Sequence, residues 1–113
     1  MTYEYYITLI GEYINTGRSK ERFCADIGYP ENAPSEEKII KAISIIATAA
    51  DSDIKQLVEL SELKMAEFAR KFMLPYRSLQ NWCDGSRKPP EYLPILIGYI
   101  LVSEVWSVEN GDI

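Results

Sequence analysis

The sequence predicts an all-α fold. Apolar residues recur at three- and four-residue spacing through most of the chain, which is the period of a helix that packs on one face. Capping and helix-breaking residues separate these stretches, and even the isoleucine-rich segment lacks the period-two alternation of a strand. The 113 residues, 47% of them hydrophobic, suit one globular domain that needs no disulfide staples.

Three helices are predicted in residues 1–50, which we interpret as an N-terminal helical extension. The apolar face of the first helix comprises Tyr3, Tyr6, Ile7, Ile10, Tyr13 and Ile14. Gly17 is placed to end that helix, and a short second helix is predicted from about Ser19 to Ile27, ended by Gly28 and Pro30. Ser35 is expected to cap a third helix that runs to about Ala50. Its apolar stripe comprises Ile39, Ile40, Ile43, Ile46, Ala47 and Ala50.

The remaining residues, 51–113, predict a second domain that ends in a long apolar helix. Asp53 or Ser52 is expected to cap a helix that begins at Ile54 and ends near Ser61. A short helix with Ala66, Phe68, Ala69 and Phe72 on its core side follows. After a break at 73–75, a second short helix is predicted over 75–83, with Pro75 in its first turn and Gly85 as its stop. A last helix is predicted from Glu91 to Leu101.

Composition excludes several classes of chemistry. The chain has no histidine, and its two cysteines, Cys24 and Cys83, are far apart, so we expect no catalytic residues, no metal site, no cofactor and no enzymatic activity. Two unpaired cysteines without an export signal predict a reducing, cytoplasmic location. The apolar run 92–102 is about half the length of a membrane span and contains proline and glycine, so it is interpreted as a core helix.

The formal net charge of -5 conceals a basic segment. Residues 64–88 carry six cations and two acids, whereas residues 1–63 carry six cations and eleven acids and residues 89–113 carry four acids and no cation. Because charges more than about 10 Å apart are largely screened at ordinary salt, a phosphate backbone would respond mainly to the basic segment.

The stretch 74–90, LPYRSLQNWCDGSRKPP, lies in this basic segment and has the layout of a helix-turn-helix. Residues 51–102 resemble the lambda-repressor-like (XRE or Cro-type) helix-turn-helix family. The positions that match the family pattern are Phe68, Ala69, Leu74, Leu79, Trp82, Gly85, Arg87 and Pro89. The resemblance implies a lambda-repressor-like helix-turn-helix domain in which the second motif helix enters the major groove of double-stranded DNA.

The resemblance also implies which residues contact DNA. The expected base contacts are Tyr76, Arg77, Ser78, Gln80 and Asn81. The expected phosphate contacts are Lys64, Arg70, Lys71, Arg87 and Lys88. Arginine fits guanine, and asparagine or glutamine fits adenine, through paired hydrogen bonds in the major groove.

The chain departs from the family pattern at four positions. Met73 replaces the glycine often found in the turn, Lys64 replaces the capping Ser or Thr, Met65 replaces a phosphate-binding Gln, and Cys83 replaces a Glu. These departures affect the turn and the anchoring of phosphate at the first motif helix.

Two functions therefore remain open. The first is a transcriptional regulator of phage or mobile-element type that binds a palindromic DNA site as a homodimer. The expected contact between the two copies is formed by the apolar helix of residues 92–106 with the tyrosine face of the first helix. The alternative is a protein-interaction module, such as an antitoxin or a phage inhibitor of a host nuclease, that binds a partner through the acidic N-terminal region.

Overall fold

The computed structural model describes residues 1–27 and 35–110, and the side chains of residues 1–26 and 35–106. The described residues form seven helices and no strand, so the predicted all-α class is confirmed for this part of the chain. The helices are α1 (Tyr3–Asn15), α2 (Lys20–Ile27), α3 (Glu36–Ala50), α4 (Ile54–Ser61), α5 (Met65–Lys71), α6 (Tyr76–Asp84) and α7 (Tyr92–Asn110). The predicted stop at Gly28 and Pro30 lies outside the described residues.

Helix α3 is the centre of the fold, because its apolar residues cover most of its circumference. It packs along α7 and against α1, α2 and α4. Its buried residues are Ile39, Ala42, Ile43, Ile45, Ile46, Ala47 and Ala49. The predicted stripe was wrong at Ile40, whose side chain is 57% exposed. Because alanines and isoleucines alternate around the helix, spacing alone did not identify the one isoleucine that faces solvent.

Helix α7 makes close contact with α1 and α3 at Gly98. A Cβ atom at Gly98 would lie 2.5 Å from the Tyr6 hydroxyl oxygen and 2.6 Å from the Ala49 Cβ, so the helices approach here as closely as glycine allows. The Tyr6 hydroxyl donates a hydrogen bond of 2.8 Å to the Ile95 carbonyl of α7, and burial raises the pKa of Tyr6. Every described helix contributes to one continuous core, so the extension and the predicted second domain are packed together.

Helix α1 is rotated relative to its predicted apolar face. Leu9 is buried, whereas Tyr3, Ile7 and Ile14 remain about two-fifths exposed. The predicted stop is confirmed, because Gly17 has a φ of +75° and the Arg18 N–H donates to the Tyr13 carbonyl at 3.2 Å.

The predicted helix caps have mixed outcomes. Asp53 caps α4, since its carboxylate accepts a 3.1 Å hydrogen bond from the Gln56 N–H. Ser35 occupies the N-cap position of α3, but its hydroxyl makes no capping hydrogen bond. Pro75 precedes α6 as its N-cap residue instead of forming its first turn. The last helix extends well beyond Leu101, to Asn110.

Candidate nucleic-acid interface

Helices α5 and α6 are anchored to the core by a few buried side chains. Phe68 is fully buried and Ala69 nearly so, and these two residues fix the inner face of α5. Leu79 is fully buried and Trp82 is half-buried, as the aliphatic-x-x-Trp spacing predicted. Ala66, which was predicted to pack on the core, is exposed instead. Met65 and Cys83 also pack partly against the core, and most of the polar side chains of the two helices face solvent.

The turn between α5 and α6 has the geometry of a Schellman motif. The Leu74 N–H donates to the Ala69 carbonyl at 2.8 Å, and the Met73 N–H donates to the Arg70 carbonyl at 3.3 Å. Met73 occupies the position that normally takes glycine, with a φ of +54°, so its backbone lies in the left-handed region. The turn predicted at 73–75 is thus made without glycine, at a cost in backbone strain.

The start of α5 is only partly capped. The Glu67 carboxylate accepts a 3.2 Å hydrogen bond from the Lys64 backbone N–H. The Lys64 side chain has no acceptor atom and cannot make the reciprocal half of a capping box. The Lys64 backbone N–H, which has no backbone partner inside the helix, is satisfied in this way, and the Lys64 side chain remains exposed.

The outward face of α6 contains three of the five predicted base-contacting residues. Tyr76, Arg77 and Gln80 are exposed, and their side chains make no hydrogen bond or ion pair with another described residue. Asn81 is half-buried at the edge of this face. Ser78 is half-buried on the opposite side of the helix from Tyr76, so it is not grouped with the others.

The loop after α6 is held by its own hydrogen bonds. Gly85 has a φ of +84°, and the Arg87 N–H donates to the Asn81 carbonyl at 3.2 Å. The Asp84 carboxylate accepts hydrogen bonds from the Ser86 hydroxyl and, at 2.8 Å, from the Ser86 N–H. These bonds lower the pKa of Asp84. Arg87 and its neighbour Lys88 are exposed on this ordered loop.

The predicted phosphate-contacting residues differ in whether they form an ion pair with an acidic residue of the same chain. Lys71 is paired with Glu104 of α7, with the Nζ atom 2.7 Å from the carboxylate. The other four make no ion pair within the described part of the chain: Lys64, Arg70, Arg87 and Lys88. The basic segment therefore presents most of its charge to solvent.

An open groove of about 500 Å³ lies beside the turn between α5 and α6. Its lining residues are Ala66, Ala69, Arg70, Met73, Leu74, Pro75 and Tyr76. Sequence reasoning did not identify this groove: it placed Ala66 on the core side of α5 and Met73 in the turn, and gave neither residue a binding role. The signal that was available was the replacement of the turn glycine by a long apolar side chain.

Comparison with models of protein families, with curated proteins and with solved structures finds no match to this chain. Among the described residues, none of the helices has the length and apolar content required to cross a membrane. The same part of the chain contains no cluster of three or more Cys, Asp or Glu residues arranged to hold a metal ion. Functional assignment therefore depends on the chain's own residues.

Proposed function

We propose that the chain is a sequence-specific DNA-binding transcriptional regulator of the lambda-repressor-like helix-turn-helix family, of phage or mobile-element type. In this proposal α6 enters the major groove and no catalysis is involved. The observation that carries the proposal is the outward face of α6, where Tyr76, Arg77 and Gln80 are exposed without side-chain partners among the described residues. Arginine and glutamine are side chains that read guanine and adenine edges.

The cations around α6 support the same function. Lys64 and Arg70 belong to the neighbouring α5 segment, and Arg87 and Lys88 follow α6 directly. In the proposed complex these four residues bind phosphates and set the position of α6. Lys71 is a further phosphate contact, but in the wild type its ion pair with Glu104 competes with the phosphate and limits that contact. The acidic remainder of the chain limits non-specific attraction to DNA.

A homodimer would place one α6 in each half of a palindromic site. We propose that its interface includes Tyr92, Leu96 and Ile100, which recur at four-residue spacing on α7 and are all exposed. Such a stripe can pack against the same stripe of a second copy. Light scattering is expected to give the mass of a dimer, and Leu96→Glu should reduce it to that of a monomer.

Selection from a random duplex library tests the proposed function. The wild-type chain is expected to enrich one palindromic site, and the double variant Arg77→Ala, Asn81→Ala should lose binding to that site while its helical circular dichroism is unchanged. The matched control is Asn15→Ala with Arg22→Ala, which removes the same residue types from exposed positions in α1 and α2. This control should bind the selected site as tightly as the wild type.

The alternative, a protein-interaction module, predicts the opposite pattern. Glu4, Glu12, Glu36 and Glu37 are exposed on α1 and at the start of α3. The DNA-binding proposal would be overturned if no duplex is enriched and if replacement of these four acids by glutamine abolishes binding to a protein partner.

A further inference from the structure

Met73 is almost completely exposed although it is apolar. Its side chain is 91% exposed, which is the highest exposure among the large hydrophobic residues of the described chain. Its backbone has a φ of +54°, a conformation that glycine adopts without cost and other residues do not. A methionine at this position therefore improves neither the packing nor the backbone geometry of the unbound protein.

The surroundings of Met73 indicate what its side chain can contact. Met73 and Tyr76 both line the groove beside the turn, and Tyr76 is 48% exposed. Arg70 also lines this groove, and Arg77 follows Tyr76 at the start of α6. The groove thus combines an apolar surface with the guanidinium group of Arg70, and Arg77 lies next to a lining residue. This combination suits a partner that is anionic and also carries an apolar group.

Duplex DNA provides both properties in its major groove. The C5-methyl group of thymine is the apolar group that base pairs display there, and phosphates flank it on both strands. If α6 enters the major groove, the groove beside the turn lies at the N-terminal end of α6, where that helix contacts base edges. Methionine is flexible and polarizable, so it can adapt to a methyl group whose position is set by other contacts.

We propose that Met73, together with Tyr76, reads thymine by contacting its C5-methyl group in the major groove. This inference rests on the proposed function, and it adds Met73 as a specificity-determining residue that the resemblance does not assign. The site chosen by the protein should therefore contain one thymine in each half-site whose methyl group contributes to affinity.

Replacement of each thymine of the selected site by deoxyuridine tests the inference, because it removes only the methyl group. For the wild type, one position in each half-site is expected to lose roughly fourfold in affinity, which corresponds to the burial of one methyl group. Met73→Gln keeps the side-chain length but not its apolar end, and it should discriminate clearly less than the wild type between the thymine and deoxyuridine duplexes, with any remaining difference due to Tyr76. Met73→Leu is the matched control, since it remains apolar and should keep most of the discrimination.

The possible failures are distinguishable. Specific binding with the same thymine-to-deoxyuridine ratio in the wild type and in Met73→Gln would overturn this inference and leave the proposed function intact. A uniform loss in Met73→Gln at every duplex would also overturn it, because that result indicates contact with the sugar–phosphate backbone. Absence of any enriched duplex would overturn both proposals, and an apolar peptide in the groove would then be the remaining occupant.

Discussion

At the scale of single residues, the turn residue Met73 is unfavourable for folding stability, and the proposed thymine contact gives it a role in binding. Its left-handed backbone is strained, and its exposed side chain gains little from packing. The same pair of hydrogen bonds ends α1, where the position equivalent to Met73 is Gly17, a residue that adopts the left-handed conformation without strain. A change at Met73 is therefore expected to stabilise the fold and, under the proposed thymine contact, to weaken DNA recognition.

Met73→Gly is expected to stabilise the protein by about 0.5 to 1 kcal/mol. Relief of the left-handed strain is worth about 1–2 kcal/mol, and the extra freedom of glycine in the unfolded chain offsets part of it. Urea unfolding followed by circular dichroism measures the difference. Ala66→Gly is the control, because Ala66 is exposed inside α5 and the change should destabilise by about 1 kcal/mol. A destabilised Met73→Gly variant would contradict the strain argument.

Sequence reasoning succeeded for residues whose type carries a local signal. Gly17 was assigned to its role because glycine suits a left-handed position, and Asp53 was one of two candidate caps because a short carboxylate suits an N-cap. It placed Met73 in the turn but gave it no binding role, because the residue type of methionine does not mark a binding site. The resemblance added Ser78 to the expected base contacts, although the helix period places it on the opposite side of α6 from Tyr76 and its side chain is half-buried.

At the scale of helices, close approach between α1, α3 and α7 depends on Gly98. Glycine has poor helix propensity, so its presence inside α7 is explained by the space it leaves for the Tyr6 hydroxyl and Ala49. The spacing of apolar residues predicted that α7 is a helix. It could not predict this contact, which joins residues about fifty or more positions apart.

Gly98→Ala is expected to destabilise the fold by about 1–3 kcal/mol, because the added methyl group overlaps two neighbours that must move. Gly11→Ala provides the matched control, since a Cβ there meets no atom within 4 Å. That change should stabilise α1 by up to about 1 kcal/mol through helix propensity. Thermal unfolding compares the two variants, and equal melting temperatures would refute the close-packing account.

Helices α5 and α7 are connected by the ion pair between Lys71 and Glu104. Glu104→Gln is expected to release Lys71 for phosphate binding and to steepen the dependence of log affinity on log salt by about 0.9 for each protomer. Glu62→Gln breaks a similar pair with Lys41, which lies outside the basic segment, and should leave the salt dependence unchanged. Titration of the selected duplex with salt gives both slopes; unchanged slopes for both variants would show that Lys71 does not reach a phosphate.

At the scale of the whole molecule, one core joins the two halves of the chain. Residues 1–50 provide α3, which packs against α7 and α4, so the extension also supports the helices next to the basic segment. The sequence predicted the all-α class and most of the helix boundaries, because periodicity and caps are local. It could not predict that α3 is central, because that depends on contacts distributed over all the helices.

The charge distribution of the molecule makes the salt dependence of DNA binding the most direct measurement of the central claim. The affinity of the wild type for its selected duplex should fall linearly on a log–log plot, and Arg87→Ala with Lys88→Ala should reduce the slope by about 2 for each protomer. The control Lys20→Ala with Arg22→Ala removes the same charges from α2 and should keep the wild-type slope. An affinity for duplex DNA that is independent of salt, or equally reduced slopes in the two double variants, would contradict the proposal that α6 and its flanking cations bind DNA.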